Sequence, residues 1–158
     1  MLKAPITALH RPNINFLFVL GILGAFIFFL GFALLIPAGI DLIYEEHTWH
    51  SFVISAGLAF VLGGGLWVKF KPNEEIRIRE GFMVVALTWI TLSLVGALPF
   101  IISGILPSYT DAVFETMSGL TTTGSTILGG ETSTGVVNPS IESIPHSFLM
   151  WRSLSHWL

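Results

Sequence analysis

Residues 111–128 read DAVFETMSGLTTTGSTIL, and this stretch decides the fold. Ser108 stands before it and an acid follows three residues later at Asp111, the spacing of a capping box at a helix start. The helix then runs through DAVFETMSGL, about ten residues and so about 15 Å long at 1.5 Å per residue. A hydrocarbon core is about 30 Å thick. A helix of half that length cannot cross. Ending in Ser118, Gly119 and a run of threonines, it predicts an element that enters the membrane and turns back.

The seven residues 120–126 carry five hydroxyl groups, and Gly124 has no side chain. From the residues alone two readings stand. One is a solvated turn, the commoner role of a Thr/Ser/Gly cluster. The other is an ion filter. Non-helical backbone at membrane depth persists only where it is buried in protein or lines a wet cavity. Its carbonyls there need partners, and a dehydrated cation is a suitable one. Gly124 takes positive φ without strain, which helps turn successive carbonyls toward one axis. The short helix aims its negative dipole end at the same place. Potassium filters are built from such short loops of backbone carbonyls.

The flanking sequence supplies a membrane. Uncharged stretches lie between Arg11 and Asp41, between Glu46 and Lys69, and after Glu80, each long enough for the roughly 20 residues a crossing takes. The first far exceeds the 7–15 residues of a signal-peptide core, and no A-x-A site follows it. Composition agrees. Of 158 residues 53% are hydrophobic and only 11% charged, with a mean hydropathy of +0.79. An average globular chain carries roughly 25% charged residues. A soluble domain and a disordered chain are both excluded. The absence of cysteine excludes disulfides, thiolate metal sites and a cysteine nucleophile. Seven Lys and Arg with a net charge of −3 exclude a nucleic-acid footprint. The chain reads as an all-α integral membrane protein in contact with the lipid bilayer.

Charge in the loops predicts orientation. Lys3 and Arg11 precede the first span, and Lys69, Lys71, Arg77 and Arg79 separate the second from the third. The loop DLIYEEHTWH carries three acids and no Lys or Arg. The positive-inside rule places the N-terminus and residues 69–80 in the cytoplasm, and residues 104–145 outside or dipping in from outside. Trp49, Trp67 and Trp151 fall near the expected interfaces, as belt aromatics do. Pro37 and Pro99 fall near the outer span ends, where a kink or helix end costs least.

Glu115 lies midway along the short helix, where a carboxylate needs a partner; Arg152 is the candidate, with attraction of cations to the mouth as the second reading. His47 and His50, with Glu45 and Glu46 nearby, form at most half a metal site. Ser153, Ser155 and His156 lack an orienting acid and a G-x-S-x-G elbow, so hydrolysis is not expected. The loop lacks the Gly-Lys-[Ser/Thr] ending of a phosphate cradle.

The stretch 111–128 closely resembles the first pore loop of Trk-type potassium uptake proteins, the TrkH/KtrB/HKT superfamily. SFLMWRSLSHWL, residues 147–158, resembles the start of the helix that follows that loop. The resemblance covers most of the chain. It implies an N-terminal two-helix hairpin (1–72) and the first M1–pore loop–M2 repeat (73–158), with four such repeats around a pseudo-fourfold axis. It implies that the filter residues are Thr122, Thr123, Gly124, Ser125 and Thr126, acting through backbone carbonyls. Ser125 departs from the alanine of many relatives, a change that leaves the carbonyl in place. It implies potassium uptake or symport at a bacterial inner membrane, with no cofactor and no covalent chemistry. The implied partners are a second copy of the subunit in a homodimer and a cytosolic TrkA-type nucleotide-binding regulatory subunit. The apolar run from His146 onward has about 13 residues, too short to span. The expectation is therefore an N-terminal portion with its M2 helix truncated. The alternative is a non-conducting accessory membrane subunit that assembles or regulates.

Overall fold

The structure, a computed structural model, describes residues 16–70, 78–128 and 143–154. Lys3, Arg11, Lys71, Arg77, Ser155 and His156 lie outside the described residues. Among the described residues there are six helices and no strand. They are α1 (Phe16–Ile43), α2 (Trp49–Lys69), α3 (Ile78–Gly96), α4 (Leu98–Ser103), α5 (Tyr109–Leu120) and α6 (His146–Leu154).

Three segments have the length and apolarity to cross a membrane: Phe16–Ile43, Trp49–Lys69 and Glu80–Ser103. The first has 28 residues, about 42 Å of helix. Pro37 does not end it. The helix continues to Ile43 with Pro37 buried, as membrane helices allow where neighbouring groups take up the freed carbonyl. The third segment does break. Its ladder stops at Gly96, and Pro99 sits in the first turn of α4, where a missing N–H costs nothing. Gly104, at φ 73°, closes α4 in the left-handed region.

α1 and α2 pack as an antiparallel pair with their backbones touching at Gly24 and Gly63. Phe60 wedges between Phe28 and Phe32, with ring centroids 5.2 and 4.9 Å away. Phe29, Val61 and Val68 point outward and are exposed, as side chains facing lipid would be.

One core joins the hairpin to the rest. Leu34 of α1, Phe52 of α2, Phe100 of α4 and Phe148 and Trp151 of α6 are almost fully buried together. The Phe148 ring lies 4.6 Å from Phe52 and 5.0 Å from Phe100. Trp151 is therefore no belt residue. It is 2% exposed, and its indole N–H donates to the Gly96 carbonyl at 3.1 Å, where the helix ladder breaks.

α5 has 12 residues, about 18 Å, well short of a membrane core. Ser108 holds the N-cap position with extended backbone, yet its hydroxyl makes no cap hydrogen bond. The helix start rests instead on the Ser108 carbonyl, which accepts from Ala112 N at 3.1 Å, and on the Tyr109 hydroxyl, which donates to the Leu94 carbonyl at 2.9 Å.

Candidate ion-binding loop

α5 ends in a Schellman turn. Thr123 N donates to the Ser118 carbonyl at 3.0 Å and Thr122 N to the Gly119 carbonyl at 3.1 Å. This turn needs a left-handed residue, and Thr122 fills it at φ 57°. Glycine usually takes that place, because a Cβ there costs roughly 1–2 kcal/mol. Gly124 is left-handed as well, at φ 74°. The chain thus turns twice within three residues. Residues 121–126 are all exposed.

Beneath the loop lies Glu115, with no exposed surface. The Thr126 hydroxyl donates to its Oε1 at 3.0 Å and Oε2 at 3.2 Å, and Ile127 N donates to Oε2 at 3.2 Å. Arg152 of α6 brings its Nε to Glu115 Oε1 at 2.9 Å. The pair read from the sequence is present. A buried carboxylate without such partners would cost several kcal/mol. Arg152 also donates from Nη2 to the Gly124 carbonyl at 3.2 Å. The Ser118 hydroxyl donates to the Ser125 carbonyl at 2.6 Å.

The five predicted residues therefore form one loop, but their carbonyls are not equivalent. Gly124 and Ser125 point theirs at protein donors. Among the described residues no hydrogen bond ends on the Thr122, Thr123 or Thr126 carbonyl. Between loop and α6 lies a cavity of about 210 Å³, lined by Ser118, Gly119, Thr122, Gly124, Leu149, Arg152 and Ser153. Sequence reading missed the left-handed Thr122 and the Arg152–Gly124 bond. The first had no signal in a β-branched residue, and the second joins residues 28 apart.

The other candidates do not gather into sites. No group of three His, Asp or Glu able to hold a metal exists among the described residues. His47 and His50 are exposed, and His50 stacks on Trp49 at 3.5 Å between centroids. Ser153 donates its hydroxyl to the Met150 carbonyl of its own helix at 2.9 Å. Glu46 instead binds α6: its Oε1 accepts from His146 N at 3.1 Å and lies 2.8 Å from His146 Nδ1.

The profile of the family described as TrkH, cation transport protein, matches residues 49–157. This chain belongs to that family. The TrkH family is one of cation transport proteins, not enzymes, and the all-helical, multi-pass fold described above is in keeping with it. The Trk system potassium uptake protein TrkH of Escherichia coli K12 is 37% identical over 139 residues, spanning 86% of this chain and 26% of that protein. That of Halomonas elongata is 34% identical over 142 residues, spanning 89% and 27%. The crystal structure of the potassium transporter TrkH from Vibrio parahaemolyticus superposes with a TM-score of 0.79 at 29% identity, covering 91% of this chain and 29% of that one. The chain thus spans about a quarter of the length of the TrkH relatives it matches.

Proposed function

We propose that this chain forms the N-terminal hairpin (1–72) and first pore repeat (73–158) of a potassium uptake transporter in a bacterial inner membrane. In this reading, residues 122–126 are its contribution to the cation filter. The observation that carries the proposal is the end of α5: a helix of half a membrane's length delivers an exposed, hydroxyl-rich loop with two left-handed residues. Left-handed residues turn carbonyls that a strand or helix would hold in its own ladder. A dehydrated potassium ion is stabilised by several such oxygens. The potassium uptake proteins named above, similar over this same stretch, support the choice of cation.

Orientation follows from charge. The N-terminus and the basic segment around Lys69 face the cytoplasm, and the α5 loop opens to the outer side. A second copy of the complete subunit and a cytosolic TrkA-type nucleotide-binding ring complete the assembly. This repeat supplies one loop, and the remaining filter oxygens come from the other repeats.

The test is Gly124→Ser in the complete transporter. A Cβ at Gly124 meets no atom within 4 Å, so the variant has room to fold. Its penalty is the positive φ alone. Rubidium or potassium uptake with competing sodium should show a weakened preference for potassium at near-normal protein levels. An unchanged preference in a well-expressed variant refutes the filter assignment. Retained assembly without any transport in the wild-type protein would favour the accessory-subunit reading instead.

A further inference from the structure

We propose that Arg152 is a positioning residue for the α5 loop. Its guanidinium, anchored on Glu115, draws the Gly124 carbonyl toward α6 and so selects which carbonyls of residues 122–126 face a cation. The inference rests on the filter reading above and adds the residue that sets the loop's cation preference.

The geometry is that of a fork. Arginine donates in fixed directions from a planar group. Here Nε reaches Glu115 Oε1 at 2.9 Å while Nη2 reaches the Gly124 carbonyl at 3.2 Å. Glu115 holds the far end of the loop through Thr126 and Ile127. Ser118 holds the Ser125 carbonyl. One charge pair and one hydroxyl thereby fix residues 124–127. The carbonyls of Thr122, Thr123 and Thr126, on which no described hydrogen bond ends, are those left to face an ion.

Among the described residues, packing does not fix the loop from the α6 side. The cavity of about 210 Å³ lies there, and Arg152, Gly124 and Ser118 share its wall. The Gly124 carbonyl has space to swing once the guanidinium lets go. Charge balance adds a second constraint. The guanidinium next to a cation path is neutralised by the buried Glu115 carboxylate. An unpaired guanidinium would repel any cation, and an unpaired carboxylate would attract cations with little discrimination.

Lysine keeps the charge but offers a single point donor, so it cannot serve Glu115 and Gly124 with the same planar fork. In the complete transporter, Arg152→Lys should accumulate normally while its potassium-over-sodium preference falls about tenfold, the equivalent of about 1.4 kcal/mol, with a raised KM for potassium. The double variant Arg152→Gln with Glu115→Gln removes both charges together, which avoids a stranded buried ion. Glutamine at 115 still accepts from Thr126 and Ile127. This variant should fold and remain unselective. A merely structural pair predicts the opposite: lowered protein level or maximal rate, with KM and selectivity unchanged in whatever folds. Wild-type selectivity in either folded variant overturns the proposal, as does failure of both variants to accumulate. If Gly124→Ser alters selectivity and the Arg152 variants do not, the filter reading stands and this inference falls. If none of them alters it, both fall.

Discussion

Gly63 of α2 lies against the backbone of Phe28 in α1, so closely that a Cβ at Gly63 would sit 2.4 Å from Phe28 N and 2.7 Å from the Gly24 carbonyl. Backbone cannot give way as a side chain can. Alanine is intrinsically the better helix former by about 1 kcal/mol. Overpacking against fixed backbone costs typically 1–3 kcal/mol, and the clash decides the sign. Gly63→Ala should lower the thermal midpoint of the complete transporter in detergent. Gly57→Ala, where nothing lies within 4 Å, should leave it unchanged or slightly raised. Equal midpoints for the two variants would contradict the close hairpin.

The hairpin also allows a topology test. The chain has no cysteine, so introduced thiols in this region are unambiguous. His47, in the acidic loop, and Lys69, at the end of α2, are both exposed. On the charge argument, His47→Cys should react with an impermeant thiol reagent in intact cells, and Lys69→Cys should react only after permeabilisation. The reverse pattern would turn the α5 loop toward the cytoplasm.

Much of this architecture was legible in the residues. The long uncharged stretches do form helices long and apolar enough to span, and the segment before the threonine loop does form a helix too short to cross. The Glu115–Arg152 pair was legible too, because a carboxylate at that depth demands a cation and the sequence offers one nearby. What was hidden depends on three-dimensional closure. Trp151 looked like a belt aromatic, and only the break at Gly96 explains why its N–H turns inward. Ser108 has the right spacing for a cap, but the local pattern does not register that tertiary contacts can start the helix without its hydroxyl. Thr122 as a left-handed residue contradicts its own propensity, and such contradictions gather at functional sites.

Glu46 ties the α1–α2 loop to the first turn of α6. Burial pushes its carboxyl up, but the hydrogen bonds from the His146 ring and backbone outweigh this and hold it below its ordinary value of 4.5. A carboxyl depressed by folding adds stability above its unfolded pKa and loses it as the pH falls through the folded value. The contribution is thus complete at neutral pH and fades below about pH 4.5. His146 has 63% of its side chain exposed, so solvent screens the pair, and its worth is about 0.2–1 kcal/mol. Glu46→Gln should lower the thermal midpoint slightly at pH 7, and the difference from the parent should shrink toward pH 4. A difference that stays constant across that range would show that Glu46 acts through shape and not charge.

Thr122 offers the sharpest check on the loop. Its φ of 57° is costly for a β-branched residue, by roughly 1–2 kcal/mol relative to glycine. Glycine loses more chain entropy on folding, which offsets part of the gain. At a left-handed C′ position the steric term is the larger of the two. Thr122→Gly should therefore raise the stability of the complete transporter by about 1 kcal/mol. Thr122→Val keeps the branched Cβ and the strain and should not stabilise. If the strain serves to aim the Thr122 carbonyl, the stabilised glycine variant should also discriminate less well between potassium and sodium, because its loop is free to relax. The measurements are thermal unfolding and competitive uptake on the same preparations. A glycine variant that melts no higher than the parent would mean that Thr122 is not left-handed in the working protein.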